Sequence, residues 1–402
     1  MSKLLKHSIT LIVLSCLMML GLASHGAEVT NLYKASVEVE DRSADARNSA
    51  ISEGLSRVLV RVSGNSAISA EAAVQDALKE ASRFMVQYGY QTRETLSPED
   101  GKLIKTVLLN VSFDEVAVNQ FLRRQGFAIW ASSRPNIVLW SAVRDGSGSR
   151  EVIGGQNQAA LQQLYTDEAS RRGLPLILPS FDGEDLAQVR AGDIWGMFVD
   201  PIKQASQRYQ ANVVVVAKLL VTPESTQISA AMSLDDRQQW WEVSGATVKE
   251  AVVSFMDQLG DRVGARFAVQ ASMDVGEQVL LDVSGVDKLA DYARLGEYLD
   301  GVLAIRAWHL SLVKGGQHQY LVTLESNLEA LEQSFRIDRK LLPQAPQLVV
   351  PLGGGKGAVE ADEPALDSGG AAQEGIAVTP LIPVSEPVDR QEPAVLHYRW
   401  NG

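Results

Sequence analysis

Cysteine is nearly absent from this chain, which has a single one, Cys16, among its 402 residues. One cysteine excludes an intramolecular disulfide, and removal of a leader containing it would leave no thiolate nucleophile or thiolate metal ligand. Histidine is scarce as well, since only His309, His318 and His397 occur beyond residue 25. The chain also lacks a G-x-S-x-G motif, so the sequence offers no recognisable nucleophilic constellation.

Positive charge is in short supply too. The chain carries 37 basic and 49 acidic residues, a formal net charge of −12, and its lysines and arginines form no cluster. Phosphate backbones repel such a chain, so we expect no nucleic-acid partner. Long apolar runs are absent beyond residue 23, which excludes a multi-span membrane protein.

The first residues have the order of a secretory signal peptide. Lys3 and Lys6 precede an apolar stretch over residues 9–23, and small or polar residues follow up to Ala27. The apolar stretch is shorter than the roughly 20 residues that a membrane-spanning helix needs. We therefore expect cleavage after Ala27, or after Gly26, and a periplasmic protein. An uncleaved anchor and lipidation of Cys16 are the alternatives.

Three units of mixed composition follow the leader. Residues 28–130 read as strand, helix, helix, hairpin and helix, with the hairpin turning at Pro98–Gly101. In the first helix Ser43 can cap the start, and Gly64 stands where a left-handed residue would end it. Residues 131–272 read as an α/β unit with helices over 158–172 and 193–209 and a three-stranded meander. Thr247 and Glu250 then form a capping box for a long helix.

Residues 273–342 give the clearest pattern, βαββα. Ser284 and Asp287 are expected to cap the helix, and Gly315-Gly316 predicts a hairpin. A last strand near Leu341 or within 348–350 would complete a ferredoxin-like sandwich. The predicted fold class is α/β to α+β, with two or three small mixed-sheet domains in series, the last ferredoxin-like.

Residues 343–402 differ in composition, because they hold 8 of the 14 prolines and many acidic residues. Such a stretch buries too little apolar surface to offset its ordering entropy, which predicts a disordered acidic tail. Its final residues are rich in large side chains, including Tyr398 and Trp400. They are interpreted either as an incidental terminus or as a short docking motif.

The candidate sites for chemistry are weak. His309 and His318 are expected to share a face of the hairpin, about four residues or roughly 13 Å apart, which is too far for one metal ion. The glycine-rich stretch at 353–357 lacks the helix that a phosphate loop requires. We therefore predict no metal and no cofactor.

Acidic and aromatic residues remain as interaction candidates. Asp182 belongs to a carboxylate cluster that could serve glycoside hydrolysis, although capping of the following helix is the simpler interpretation. Trp240 and Trp241 are neighbours in a predicted strand, so one ring should be buried and the other partly exposed. The exposed ring could contact a protein partner, a sugar or a neighbouring domain.

Several short motifs resemble a known family. They include residues 31–33, the run Leu59-Val60-Arg61-Val62-Ser63-Gly64-Asn65, Phe113-Asp114, and Trp195-Gly196. Over residues 28–270 the chain resembles an uncharacterised proteobacterial exported family, the domain of unknown function number two-thousand-sixty-six. The resemblance implies export and supplies no catalytic residue.

The leading hypothesis is an exported, non-catalytic adaptor or scaffold of the bacterial cell envelope, bound to a protein partner through sheet edges or the tail. The alternative is a periplasmic hydrolase or carbohydrate-binding protein that uses Asp182 and the two tryptophans. A third interpretation, binding of a lipid-like ligand, requires an apolar cavity between the domains.

Overall fold

The computed structural model describes residues 27–96, 103–146, 148–235, 237–270, 276–314, 316–345 and 393–402. The expected signal peptide, the turn at Pro98–Gly101, Gly315 of the hairpin, the glycine-rich stretch at 353–357 and the strand proposed within 348–350 lie outside these residues. The described part is a mixed α+β structure in which several small sheets follow one another along the chain. None of its helices combines the length and apolar character that a membrane span requires.

The first unit is a three-stranded antiparallel sheet with helices on one face. Its elements are β1 (Ala27–Glu28), β2 (Lys34–Val39), α1 (Ala44–Ser63), α2 (Ala72–Lys79), β3 (Met85–Leu96), β4 (Leu103–Phe113) and α3 (Glu115–Arg124), with 3-10 turns at Ser66–Ala70 and Ala81–Phe84. The sheet order is β2-β4-β3. The two predicted ends of α1 are confirmed, since the Ala46 amide donates to Ser43 Oγ at 3.2 Å and Gly64 has φ +72°.

The central unit is a six-stranded sheet with helices on both faces. Its elements are β5 (Ser133–Arg134), β6 (Ile137–Arg144), β7 (Arg150–Ile153), α4 (Ala159–Arg172), β8 (Leu176–Ile177), α5 (Gly183–Gln188), α6 (Ala191–Trp195), α7 (Val199–Ala205), β9 (Val213–Val221), β10 (Thr226–Leu234), β11 (Arg237–Gly245) and α8 (Val248–Phe267). The order is β11-β10-β9-β6-β7, with β8 beside β6. Strand β5 lies outside this sheet and pairs with β1. Strand β6 is parallel to β8 and β9, so its apolar run is buried on both faces.

The single helix predicted over residues 193–209 is wrong. Met197 has a φ of +57°, which a continuous right-handed helix cannot contain, and the segment divides into α6, α7 and a 3-10 turn at Ser206–Tyr209. The long helix after Thr247 is confirmed as α8, and the Glu250 amide donates to Thr247 Oγ1 at 3.2 Å.

The third unit has a five-stranded sheet. Its elements are β12 (Gln278–Ser284), α9 (Leu289–Gly301), β13 (Ile305–Lys314), β14 (Gln317–Leu324), α10 (Leu328–Asp338), β15 (Leu341–Pro343) and β16 (Ala394–Trp400). Capping by Ser284 and Asp287 is wrong, because α9 begins later and the Lys288 amide donates to Asp291 Oδ2. The sheet order β13-β14-β12-β16-β15 keeps the ferredoxin-like arrangement of its first three strands.

The end of the chain differs from the disordered tail that its composition predicted. Residues 394–400 form β16, which lies parallel to β12 and separates it from β15. Every second residue of β16, Leu396, Tyr398 and Trp400, points into the core. The seven residues therefore bury enough apolar surface to be ordered. The predicted strand at Leu341 therefore exists as β15, although it pairs with β16 rather than with β12.

The first and central units meet around a buried arginine. The Arg134 side chain is fully buried and its guanidinium lies 4.1 Å from the centroid of the Trp130 ring. It donates to five backbone carbonyls, those of Arg61, Trp130, Ala131, Arg172 and Gly173, at 2.8–3.3 Å. Burial, followed by repulsion from Arg61 and Arg172, lowers the pKa of Arg134 to about 9, so the group stays charged at neutral pH.

Two glycines close the same interface. A Cβ atom on Gly264 of α8 would lie 2.5 Å from the Gly64 carbonyl oxygen, so only glycine allows this approach. Nearby, the Ser66 amide donates to Asp261 Oδ1 at 2.7 Å, and Arg172 pairs with the same oxygen at 2.8 Å. Backbone contact and charge pairing together hold α1 against α8.

The third unit attaches through fewer polar contacts. Asp338, at the end of α10, accepts hydrogen bonds from the Ser133 hydroxyl and, at 3.0 Å, from the Tyr298 hydroxyl. Arg266 of α8 donates to Gln333 and pairs with Glu329, both at 3.1 Å. Burial raises the pKa of Asp338, while the hydrogen bonds from Ser133 and Tyr298 oppose that rise.

Candidate functional site

The carboxylate of Asp182 forms hydrogen bonds with groups close to it in the fold. Its Oδ1 accepts from the amides of Glu184 and Asp185, both at 3.1 Å, which caps α5 as the simpler interpretation predicted. Arg208 binds the same carboxylate with two nitrogens, at 2.7 Å to Oδ1 and 2.8 Å to Oδ2. Both oxygens are therefore occupied by groups of the protein itself.

Asp185 completes this cluster from a fully buried position. It accepts from the Phe181 amide at 2.8 Å, the Tyr209 hydroxyl at 2.6 Å and Arg208 at 2.9 Å. The hydrogen bond from Arg208 holds the pKa of Asp182 well below its usual range. A glycosidase acid requires the opposite shift. These contacts instead fix the loop over residues 178–182 against the start of α5.

The two neighbouring tryptophans separate as the strand pattern predicts. Trp241 is 9% exposed, stacks on Phe255 of α8 at 5.9 Å and lies under the Arg262 guanidinium. Trp240 is 57% exposed and stands on the opposite face of β11, an edge strand of the central sheet. Trp241 is thus a core residue, and Trp240 is the member of the pair that a partner could contact.

Tyr398 and Trp400 are core residues rather than an exposed docking motif. The Tyr398 ring packs edge-on against Phe335 at 5.1 Å, and the Trp400 ring lies 5.9 Å from that of Tyr298. Each is 7% exposed. The interpretation of this segment as a motif offered to a partner is wrong, because its large side chains fill the third core.

The histidines are separated by the sheet. Val313 pairs with His318 as predicted, but His309 pairs with Leu321, because a bulge at Leu310–Leu312 shifts the register by one residue. His309 and His318 therefore lie on opposite faces of the sheet instead of the same one. Within the described ranges no three His, Cys, Asp or Glu side chains cluster closely enough to hold a metal ion.

Strand β13 forms an exposed apolar edge in the third unit. Among the described residues it pairs with β14 alone, which leaves its other side without a strand. Leu310, Leu312 and Val313 are 36%, 49% and 54% exposed. Leu310 and Val313 face the helical side, whereas Leu312, paired with Gln319, faces the other. We call these residues, with the strand that carries them, the β13 edge.

A cavity of about 480 Å³ lies where the three units meet. Trp130, Phe267 and Val302 contribute apolar surface, while Tyr298 and Asp338 contribute polar groups. The volume is within the usual range for small-molecule sites, and its position is the one that a lipid-like ligand would require. Its walls also hold Glu28, Glu297 and Lys340, so the cavity is not the purely apolar one that this interpretation expected.

Sequence reasoning missed the β13 edge because local pattern does not report strand order. The run Leu310-Ser311-Leu312-Val313 predicts a strand but not whether that strand has one neighbour or two. A detectable signal was the odd spacing of its apolar residues, which does not fit a strict two-residue alternation and indicates a bulge.

The fold and these surfaces define a protein of serial α+β units with an exposed edge strand. Residues 26–131 match a family described as a domain of unknown function, DUF8605. The resemblance to family number two-thousand-sixty-six is therefore wrong: both are domains of unknown function, but they are different ones. Several residues that suggested it, such as Arg61 and Gly64, serve the contact between the first and central units.

Comparison with curated proteins gave no match. Two solved structures share distant similarity with the chain. The C-terminal domain of LpoB from Salmonella enterica is 13% identical, with 32% of this chain and 90% of that one covered and a TM-score of 0.19. A protein described only as uncharacterised is 9% identical, with 33% and 90% covered and a TM-score of 0.14. Scores this low carry no argument about fold or function.

Proposed function

We propose that the chain is an exported, non-catalytic adaptor of the bacterial cell envelope that binds a protein partner through the β13 edge. The observation that carries the proposal is an edge strand with exposed apolar side chains on both faces. Export is supported by the basic, apolar and small segments at residues 1–27.

An edge strand presents unpaired backbone amides and carbonyls that another extended segment can use. We expect the β13 edge to bind an extended segment of a partner protein that has apolar residues and would add a strand beside β13. Its alternate side chains would contact Leu310 and Val313 on one face and Leu312 on the other. The two bulges in β13 distort the edge and disfavour indiscriminate pairing with a second copy.

The adaptor interpretation is also supported by how the acidic residues are used. Asp182 and Asp185 have their oxygens occupied by Arg208, Tyr209 and backbone amides. The hydrolase alternative needed a carboxylate that is free to act on a substrate, and this cluster does not provide one.

Site-specific photocrosslinking in cells tests the proposal. A photoreactive residue replaces Leu312, and the matched control replaces Val86, which is 64% exposed on the edge strand of the first sheet. We expect one envelope protein to be captured from position 312 and not from position 86. Cell fractionation of the same full-length chain should place it in the periplasm.

The affinity of the purified partner for variants of the chain tests whether the β13 edge is the binding site. We expect Leu310→Lys with Leu312→Lys to weaken binding at least tenfold, because each change replaces apolar contact surface with a charge. Val86→Lys should leave the affinity unchanged. Equal affinities for wild type and the β13 variant, or adducts from position 86 alone, would overturn the assignment of the site. Retention in the cytoplasm would overturn the envelope role.

A further inference from the structure

A cleft of about 920 Å³ lies between the first and central units. One wall is the face of the first sheet that no helix covers, with Lys34, Ser36, Arg93 and Asn110. The opposite wall is the C-terminal half of α4 and the segment that follows it, over residues 166–176. The volume lies within the range of small-molecule sites.

The charge of this cleft is opposite to that of the whole chain. Its cationic lining residues are Lys34, Arg57, Arg61, Arg93 and Arg171, against the two carboxylates of Glu28 and Asp167. The chain as a whole has a formal net charge of −12. Among the lining residues alone cations outnumber carboxylates, and a concave surface concentrates the potential of the cations that have no carboxylate partner.

Three of the five cations are fixed by the protein. Arg57 donates to the Ser36 carbonyl and pairs with Glu53, and Arg171 pairs with Glu168 and Asp257. Arg61 donates to four backbone carbonyls, those of Asn31, Leu32, Lys34 and Arg171. These contacts hold the walls in place, but none of the described carboxylates forms an ion pair with Arg61.

Lys34 and Arg93 are not held by contacts of this kind. Neither forms a side-chain hydrogen bond or an ion pair with any residue in the described part of the chain, and both are exposed. Burial is the main cause that lowers the pKa of Arg61 to about 10, and repulsion from Arg57, Arg171 and Arg172 adds to it. Lys34 and Arg93 thus add two unpaired cationic groups to a cleft in which Arg61 also has no carboxylate partner among the described residues.

Hydroxyl and amide side chains also line the cleft, beside apolar residues such as Val29, Leu174 and Leu176. Thr30, Ser36, Asn110, Ser112 and Ser170 line the cleft, and no aromatic side chain is among its lining residues. A base or another planar ring would therefore find no stacking platform, whereas a hydroxyl-rich ligand would find hydrogen-bond partners.

We propose that this cleft binds an anionic saccharide, a hydroxyl-rich ligand that carries phosphate or carboxylate. Lys34 and Arg93 contact its negative groups, and the hydroxyl and amide side chains contact its hydroxyls. The walls are preorganised, because Arg134 and the contact of Gly64 with Gly264 fix the two units relative to each other. The proposal is independent of binding at the β13 edge.

Three probes with one scaffold test the ligand class. Isothermal titration calorimetry of the full-length protein at low salt uses glucose 6-phosphate, glucuronate and glucose. We expect at least one of the two anions to bind and glucose not to bind. The relative affinity of the two anions distinguishes a phosphate from a carboxylate ligand. Absence of binding by both anions, or equal binding of glucose, would overturn the proposal.

Variants locate the site. Lys34 and Arg93 lie six residues apart along β4, roughly 20 Å, so one monosaccharide anion contacts only one of them. Either Lys34→Gln or Arg93→Gln should therefore weaken binding of the anion about tenfold, because it removes a charge-assisted hydrogen bond. The matched control is Lys249→Gln, an exposed lysine of α8 outside the cleft, which should change the affinity less than twofold. Both target side chains are exposed, so folding should be retained and is checked by circular dichroism. Affinities of both cleft variants equal to that of the control would overturn the assignment.

Discussion

The two junctions of this molecule are built by different physical means. Between the first and central units, Arg134 donates to five carbonyls and two glycines bring backbone against backbone. Between these units and the third, a few side-chain hydrogen bonds surround a cavity of about 480 Å³. The first junction depends on contacts that tolerate no displacement, whereas the second leaves room for adjustment.

This difference teaches what each junction can do. A junction closed by backbone contact holds a cleft of fixed shape, which suits binding of a small ligand between its walls. The stability of a junction with a cavity and titratable groups changes with small amino-acid substitutions and with pH. Substitutions matched across the two junctions can therefore test the comparison directly.

The largest effect is expected from removal of the buried arginine. Arg134→Met leaves five carbonyls without their donor and should lower the free energy of unfolding by about 3–5 kcal/mol. Urea denaturation followed by tryptophan fluorescence measures the change. Arg237→Met, at an exposed position that begins β11, is the control and should stay within about 0.5 kcal/mol of wild type. A loss as small as that of the control would contradict the role given to Arg134.

An identical substitution at the two junctions should act in opposite directions. Gly264→Ala places a Cβ 2.5 Å from the Gly64 carbonyl oxygen and should destabilise the protein by about 1–3 kcal/mol. Gly301→Ala, at the end of α9 beside the 480 Å³ cavity, meets nothing within 4 Å. It should stabilise the protein by about 0.5–1 kcal/mol, because alanine loses less backbone entropy on folding. The same urea titrations compare the two, and equal effects would show that the junctions are packed alike.

The smallest effect is a pH dependence with a defined sign. Burial raises the pKa of Asp338 above 3.8, so its contribution to stability is present at low pH and is lost as pH rises through the folded-state pKa. Asp338→Asn should therefore flatten the decline of the urea midpoint above pH 3.8.

Asp182 provides the opposite case for this measurement. The pKa of Asp182 is lowered by Arg208, so its contribution is present above pH 3.8 and is lost as pH falls. Asp182→Asn should reduce the loss of stability on acidification.

The outcome that would contradict the burial of the Asp338 carboxyl is an Asp338→Asn variant with the pH profile of the wild type.

Local signals in the sequence predicted much of the fold. Ser43 and Gly64 define α1, and Thr247 defines the start of α8, because capping depends on residues within one helical turn. The separation of Trp240 from Trp241 followed from the two-residue period of a strand. Asp182 was also recognisable as a helix cap.

The sites depended on contacts between residues distant in sequence. Arg134 resembles any surface arginine until Arg61 and Arg172 bring their carbonyls to it. The cleft of Lys34 and Arg93 exists only because α4 lies opposite the open face of the first sheet. Strand β16 was hidden for the same reason, since its neighbour β12 precedes it by a long stretch of chain.

The position of β16 has a consequence for the order in which the third unit folds. Strand β12 cannot gain its parallel neighbour, and Phe335 cannot gain its contact with Tyr398, until residues 394–400 arrive. Such distant pairing carries a high entropic cost of loop closure and slows folding.

A truncation at residue 343, intended to remove only a tail, would delete a strand from within the sheet. A cut between residues 345 and 393 would instead leave that strand bound without a covalent link, so the two pieces could be used as a fragment-complementation pair.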